Sequence, residues 1–207
     1  MKKRALLLMV VFVVIGMMVW AAGQQESGKV EPVEIIFTSV SVPGDSHTEA
    51  MYVFADKVEE LTGGSVEVKV YDNGTLFTQE NEYDALISGQ ADMAYLSFPT
   101  LATQIPSFSM FGSGYFFSSY DHMTSVLNGD IAKENIWPKV RELGIQPLGS
   151  LYLGSRVINT KDKMINSYAD MKGILLRMPG SESWLFLGKA LGANPTPLSF
   201  SELYTAL

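Results

Sequence analysis

The chain has 207 residues, which is enough for one large domain or two small ones. Hydrophobic residues make up 47% of it and charged residues 18%, proportions that are typical of a globular protein rather than a disordered one. The formal net charge of −7, without any basic stripe, argues against a nucleic-acid-binding surface. Because the sequence contains no cysteine, it excludes disulfides, thiolate metal sites and a cysteine nucleophile. His47 and His122 leave little room for histidine chemistry.

The N-terminus has the pattern of an export signal. Lys2, Lys3 and Arg4 precede an uncharged apolar stretch over residues 5–20, and small residues follow at 21–23. We predict a signal peptide over residues 1–22 and a polar tether over residues 23–32. The alternative is an uncleaved membrane anchor, although the apolar stretch over 5–20 is short for a span of about 20 residues.

Residues 33–100 alternate between strand and helix patterns. The pattern predicts strands over 33–40, 65–72 and 91–98, and helices from about Ser46 and over 78–89. Ser46 and Glu49 form a capping box at the start of the first helix, and Gly63 and Gly64 end it. This β-α-β-α-β order predicts a mostly parallel sheet with helices on its faces. A ligand cleft is then expected beyond the carboxyl ends of the strands, one of which is followed by residues 97–100.

The second half of the chain has a less regular pattern. It predicts helices near 121–128 and 130–143, a strand at the start of 145–156, a helical turn within 165–173, a strand over 174–178 and a helix over 181–192. Residues 193–198 are expected to be extended, because Pro195 and Pro197 bar a helix. Ser199 and Glu202 form a capping box that opens a further helix. Only five residues follow Glu202, which is too few for a stable helix, so we expect a truncated chain.

A Gly-Asp-Ser sequence follows the first strand and offers a possible nucleophile at Ser46. Some serine esterases carry Gly-Asp-Ser at this place, but their catalytic Asp and His lie near the C-terminal end, usually as D-x-x-H. His122, the only other histidine besides His47, lacks that spacing. We therefore interpret Ser46 as a helix N-cap and keep an exported serine esterase as the alternative function. The sequence shows no P-loop, HExxH, GxSxG or dinucleotide fingerprint, so we predict no cofactor and no metal.

Two arginines stand out because each follows or ends an apolar run. Arg177 ends the apolar run over 174–176, and Arg156 comes just after the strand predicted to begin at 145. Two guanidinium groups held by a sheet would clamp a carboxylate, since each can bind both carboxylate oxygens at once. The alternative is that each arginine pairs with a local carboxylate, for which the candidates are Asp162, Asp170 and Glu182.

Two long segments carry a resemblance to a known family. The first, "YLGSRVINTKDKMINSYADMKGILLRMPGS", contains Gly154 and Arg156 and, about twenty residues later, Asp170, Arg177 and Pro179. The second is "LGANPTPLSFSELYTAL" at the C-terminal end. On these segments the sequence resembles the substrate-binding proteins of TRAP transporters, the tripartite ATP-independent periplasmic type, over about residues 33–207.

The resemblance implies an α/β fold of the periplasmic solute-binding-protein type, with two lobes that close on a ligand through hinges. The first lobe would occupy residues 33–152. Residues 153–207 would be the start of the second lobe, which continues for about a hundred residues in family members. The resemblance also implies a periplasmic protein without catalysis, which hands a small organic acid to the TRAP transporter membrane subunits.

The family pattern assigns roles to named residues. Arg177 matches the arginine that clamps the ligand carboxylate, and Arg156 matches a second ligand contact. Tyr95, Ser97 and Phe98 are weaker candidates, at the end of a first-lobe strand. Trp184, on the helix after Arg177, is expected to pack rather than to line the pocket.

Overall fold

The structure is a computed structural model, and it describes residues 31–206. The predicted signal peptide over 1–22 and nearly all of the predicted tether over 23–32 lie outside the described residues. Within residues 31–206, no helix is both long and apolar enough to cross a membrane.

A parallel sheet organises the first part of the described chain. Its strands are β1 (Val33–Thr38), β2 (Val66–Tyr71) and β3 (Met93–Ala94), in the order β2-β1-β3. Both neighbours run parallel to β1, as the sequence predicted. β3 is shorter than the predicted strand over 91–98, because the side chain of Ser97 accepts a hydrogen bond from the Thr100 amide and starts a helix instead.

Short helices surround this sheet and build a second core beside it. Helices α1 to α6 occupy Ser46–Thr62, Glu82–Ile87, Phe98–Leu101, Tyr120–Asn128, Asp130–Asn135 and Trp137–Arg141, with a 3₁₀ helix at Pro106–Gly112. Met51 of α1 is fully buried against Phe37 and Val68 of the sheet. The single helix predicted over 130–143 is broken in two at Ile136, because Pro138 has no N–H with which to continue the hydrogen bonds of the first helix and instead occupies the first turn of a new one.

A second, smaller parallel sheet follows. Its strands are β4 (Leu175–Met178) and β5 (Asn194–Pro197), joined by α7 (Glu182–Ala190) in a β-α-β unit. A 3₁₀ helix at Tyr168–Met171 precedes this unit, and a 3₁₀ helix at Phe200–Glu202 and helix α8 (Leu203–Ala206) follow it. Gly188 lets α7 lie close to the sheet, since a Cβ atom there would come within 2.7 Å of Pro195 Cβ. The helix, the strand and the extended segment predicted over 174–198 are therefore confirmed.

The strand predicted at the start of residues 145–156 is wrong. Residues 145–166 form no regular structure, and none of their backbone amides donates to a backbone carbonyl among the described residues. Instead, the side chain of Asn128 accepts from Ser150 N at 2.7 Å and donates to Ser150 O at 2.9 Å. A strand needs a neighbouring strand to share its ladder, and an asparagine side chain takes that place here. The predicted lobe boundary between residues 152 and 153 falls in this segment and stays a prediction.

Candidate functional site

Arg177 lies in β4, one residue before the end of the strand, and is half-buried. Its Nε donates to Leu198 O at 2.9 Å, while its buried Nη2 has no hydrogen-bond partner among residues 31–206. Its guanidinium carbon lies 5.9 Å from the centre of the Phe200 ring. Burial lowers the pKa of Arg177, and the charge of Glu80 acts in the opposite direction. The Nε edge of this guanidinium is therefore held by the protein, and neither of its Nη atoms has a hydrogen-bond partner among residues 31–206.

Arg156 lies in the irregular segment rather than at the end of a strand, which corrects the placement predicted from the sequence. The residue as a whole is exposed, but its guanidinium carbon lies 4.2 Å from the centre of the Trp184 ring. Burial of the guanidinium lowers its pKa, and the positive charge of Arg177 lowers it further. The two cations thus act on each other.

Neither arginine is neutralised within residues 31–206, because no carboxylate oxygen lies within 4.0 Å of either guanidinium. The local ion pairs considered for Asp162, Asp170 and Glu182 are therefore not formed. Asp170 instead accepts hydrogen bonds from Asn166 N, Ser167 N and Ser167 Oγ, and these bonds lower its pKa.

The turn from β4 into α7 gathers further polar atoms that lack partners. Ser181 is the N-cap residue of α7, and its buried Oγ makes no hydrogen bond to the described residues. The same holds for Nε1 of Trp184, in the first turn of the helix. Together with Nη2 of Arg177, these are three buried polar atoms of the β4–α7 unit that lack hydrogen-bond partners among residues 31–206. Guanidinium and indole N–H groups only donate and a hydroxyl can donate, so an acceptor-rich ligand group is the chemistry that would satisfy them.

The first-lobe candidates have protein contacts of their own. The Tyr95 hydroxyl donates to the carbonyl of His47 at 3.3 Å, and its ring packs edge-on against Phe37 at 5.1 Å. Burial raises the Tyr95 pKa. Phe98 packs against Phe108 and Phe111, with ring centroids 5.4 and 4.5 Å away. Both rings therefore have packing partners within the first part of the chain, and their contact with a ligand stays a prediction.

Ser97 belongs to a small polar cluster. Its Oγ lies 2.7 Å from Oγ1 of Thr100, and Nε2 of Gln79 lies 3.5 Å from each of these oxygens. Gln79 and Thr100 were not identified from the sequence, because they lie in different turns of the chain and no spacing relates them.

A cavity of about 240 Å³ joins this cluster to the second sheet. Its lining includes Gln79, Glu80 and Thr100 from the first part of the chain and Gly180 and Ser181 from the turn after β4. Oε1 of Glu80 accepts a hydrogen bond from Gly180 N at 3.4 Å across it. None of the five site residues predicted from the sequence lines this cavity, which adjoins the arginines only through the turn after Arg177.

The Gly-Asp-Ser sequence forms the start of α1, one residue earlier than predicted. Asp45, not Ser46, is the N-cap: its side chain accepts from His47 N, and Ser46 Oγ donates to Asp45 Oδ1 at 3.4 Å. In residues 31–206, Ser46 has no hydrogen bond to a histidine, and the His122 ring pairs with Ser118. The arrangement is that of a helix cap.

Comparisons with known proteins agree with one another. The model for bacterial extracellular solute-binding proteins, family 7, matches residues 37–207. The sialic acid-binding periplasmic protein SiaP of Vibrio cholerae is 29% identical over 155 residues, which cover 75% of this chain and 48% of SiaP. The chain thus spans about half the length of the curated relatives it matches.

Two crystal structures show a similar fold. A TRAP periplasmic solute-binding protein from Roseobacter denitrificans, with bound 3-deoxy-D-manno-oct-2-ulosonic acid (KDO), has a TM-score of 0.75 at 36% identity. The match covers 84% of this chain and 58% of that one. The sugar acid-binding protein DctPAm from Advenella mimigardefordensis, in complex with galactonate, has a TM-score of 0.80 at 30% identity, covering 86% of this chain and 57% of that one.

Proposed function

The chain belongs to family 7 of the bacterial extracellular solute-binding proteins, and from this premise we propose that it is the solute-binding protein of a TRAP transporter. It is exported to the periplasm, binds an organic acid there and delivers it to the membrane subunits of the transporter. The family membership confirms the resemblance and the α/β fold of the solute-binding-protein type predicted from the sequence.

One observation supports an acid as the ligand: Arg156 and Arg177 have no carboxylate partner within residues 31–206. A partly buried guanidinium without a counter-ion is costly, and a ligand carboxylate relieves that cost with two parallel hydrogen bonds. Similar proteins bind KDO and galactonate, both of which carry a carboxylate. Arg177 acts as the primary clamp and Arg156 as the second contact.

The opposite wall of the proposed site comes from the first lobe. Ser97 supplies a hydroxyl from its cluster with Gln79 and Thr100, while the rings of Tyr95 and Phe98 hold this wall in place. A ligand held between the arginines and Ser97 contacts both the first and the second part of the chain, so binding favours a closed arrangement.

Calorimetric titration of the full-length gene product with KDO and with galactonate tests the proposal. Arg177→Ala should weaken binding by roughly 2–5 kcal/mol, about thirty-fold to several thousand-fold, as is usual when one side of a buried charge pair is lost. Arg177→Lys should also bind more weakly, since a point charge cannot reproduce the two-pronged geometry. Arg156→Ala should cost less.

Arg141→Ala is a matched control, because Arg141 is an exposed arginine that donates to Gln146 and has no carboxylate partner within residues 31–206 either. Unchanged affinity in Arg177→Ala would refute the clamp, and labelling of Ser46 by a serine-directed probe would favour the esterase alternative. Export is tested by the intact mass of periplasmic protein, which should begin near Ala22 or Gly23.

A further inference from the structure

Trp184 has two features that packing alone does not explain. Its side chain is buried, with 8% exposure, yet its Nε1 has no hydrogen-bond acceptor among residues 31–206. An apolar side chain at this position would leave no buried donor unpaired. In addition, the face of its ring carries the guanidinium of Arg156, 4.2 Å from the ring centre.

The backbone around Arg156 does little to fix the position of this arginine. The backbone amides of residues 145–166 donate no hydrogen bond to a described backbone carbonyl, and Arg156 has no carboxylate within 4.0 Å among the described residues. The stacking contact with Trp184 is therefore what holds the guanidinium near the second sheet. A cation over an indole face is favourable even when the cation is partly desolvated.

The position of Trp184 in the chain links the two arginines. Arg177 lies in β4, and Trp184 lies in the first turn of α7, which follows β4 after the short turn through Gly180. The same β-α unit therefore positions both arginines. Its strand contains Arg177, and its helix carries Trp184, which contacts Arg156. The attraction of Arg156 to the indole acts against the repulsion between the guanidinium groups of Arg156 and Arg177. The same repulsion is one reason why the pKa of Arg156 is lowered.

We propose that Trp184 is a positioning residue for ligand binding, which holds the guanidinium of Arg156 on its indole face so that Arg156 and Arg177 can engage one carboxylate together. This inference rests on the proposed function, since it gives Arg156 its role in ligand capture. It replaces the expectation that Trp184 only packs.

The first test needs no ligand. In a ¹H–¹⁵N spectrum, Arg156→Ala should shift the indole resonance of Trp184, which Trp184→Phe assigns by its disappearance. The chain supplies a matched control pair, because Arg141 lies 6.0 Å from the ring centre of Trp137. Arg141→Ala should shift the Trp137 resonance and leave that of Trp184 in place. An unmoved Trp184 resonance in Arg156→Ala would overturn the proposal.

The second test is a double-mutant cycle with KDO as the probe, or galactonate if only that binds. Trp184→Leu should weaken binding by about five- to thirty-fold, the range expected for a cation–π contact of this kind. Arg156→Ala should weaken it by a similar factor, and the double variant should bind no more weakly than the weaker of the two single variants. Trp184→Phe keeps a ring face and should retain most of the affinity. Trp137→Leu, the control, should bind as wild type.

The outcomes separate the two proposals. If wild type binds a probe and the effects of Trp184→Leu and Arg156→Ala are additive, Trp184 only packs and the positioning role is wrong. If Trp184→Leu does not fold, the same cycle is run with Trp184→Met, which also lacks a ring face, and a loss as large in the Arg156→Ala background as in wild type overturns the role. If wild type binds neither probe, the proposed function fails, and the role of Trp184 in ligand binding fails with it.

Discussion

Glu82 is fully buried in α2, and neither oxygen of its carboxyl group has a hydrogen-bond partner among residues 31–206. Burial, and after it the charge of Glu80, raises its pKa from 4.5 to about 8. Between these two values the folded protein keeps a proton that the unfolded chain releases. The free energy of unfolding therefore falls as the pH rises from 4.5 to about 8. Below pH 4.5 the Glu82 carboxyl is protonated in both states and does not lower the free energy of unfolding.

Replacing Glu82 by methionine should remove this pH dependence. We expect Glu82→Met to raise the free energy of unfolding at pH 7 by roughly 3 kcal/mol, the value that the pKa difference implies. At pH 4.5 the gain should be small. Urea denaturation at several pH values measures both, and Glu59→Met on the exposed face of α1 serves as the control. Parallel pH profiles for wild type and Glu82→Met would contradict the account.

The start of α1 gives a second prediction for single residues. Asp45 caps the helix, whereas the hydroxyl of Ser46 hydrogen-bonds, within residues 31–206, to Asp45 alone. Asp45→Ala should therefore lower the free energy of unfolding by about 1 kcal/mol, the usual loss for an N-cap. Ser46→Ala, the control, should change it by less than about 0.5 kcal/mol. Asp and Ser are equally good N-cap residues, so the sequence alone does not show which of the two adjacent residues caps the helix. A larger loss of unfolding free energy in Ser46→Ala than in Asp45→Ala would show that Ser46 is the N-cap.

Among the secondary-structure elements, α4 anchors the irregular segment over 145–166 near its start through one side chain. Asn128 is bonded to both backbone groups of Ser150, the only residue of this segment that it anchors in this way. In hydrogen-exchange measurements, most backbone amides over 151–165 should exchange rapidly, and the amide of Ser150 should exchange more slowly. Asn128→Ala should speed exchange at Ser150 by about tenfold, the factor for one lost hydrogen bond.

Asn135 provides the control for that experiment. It also lies at the end of a helix and its side chain also donates to a carbonyl one turn back, but it makes no hydrogen bond to the irregular segment. Asn135→Ala should leave the Ser150 amide unchanged. Equal exchange in wild type and Asn128→Ala would show that Ser150 is protected by something else.

The same elements show how far the sequence can predict this fold. Short apolar runs located β1 and β4 and an alternating pattern located β2, because a buried strand and its crossover helix leave local signals. The strand predicted at the start of 145–156 failed because an apolar run is not enough. A strand also needs a neighbour, and pairing is decided by parts of the chain that are distant in sequence.

For the whole molecule, the sequence predicts only those candidate site residues that belong to a local motif. Arg177 follows from its family motif and its place at the end of an apolar run. The support of Arg156 by Trp184, and the cavity between Gln79 and Ser181, join residues far apart in the sequence. Only packing brings those residues together, so periodicity and spacing could not reveal them.

The charge imbalance at the site leads to a prediction for the stability of the molecule as a whole. Without ligand, Arg156 and Arg177 repel each other and have no carboxylate partner within residues 31–206. Arg177→Met relieves that repulsion and loses the bond to Leu198 O. Because the two effects oppose each other, the melting temperature without ligand should stay within a few degrees of wild type.

With ligand, the melting temperatures of wild type and Arg177→Met should differ. KDO at about 100 times its dissociation constant stabilises a binding protein by about 2.7 kcal/mol, which raises the melting temperature by about 5–11 °C for a chain of this size. Wild type and Arg141→Met should show this rise, and Arg177→Met should not. The rise in wild type should shrink at high salt, since the attraction between guanidinium and carboxylate is screened at the open cleft. If Arg177→Met instead melts far below wild type without ligand and keeps the full rise with KDO, Arg177 serves the fold and the acid is bound elsewhere.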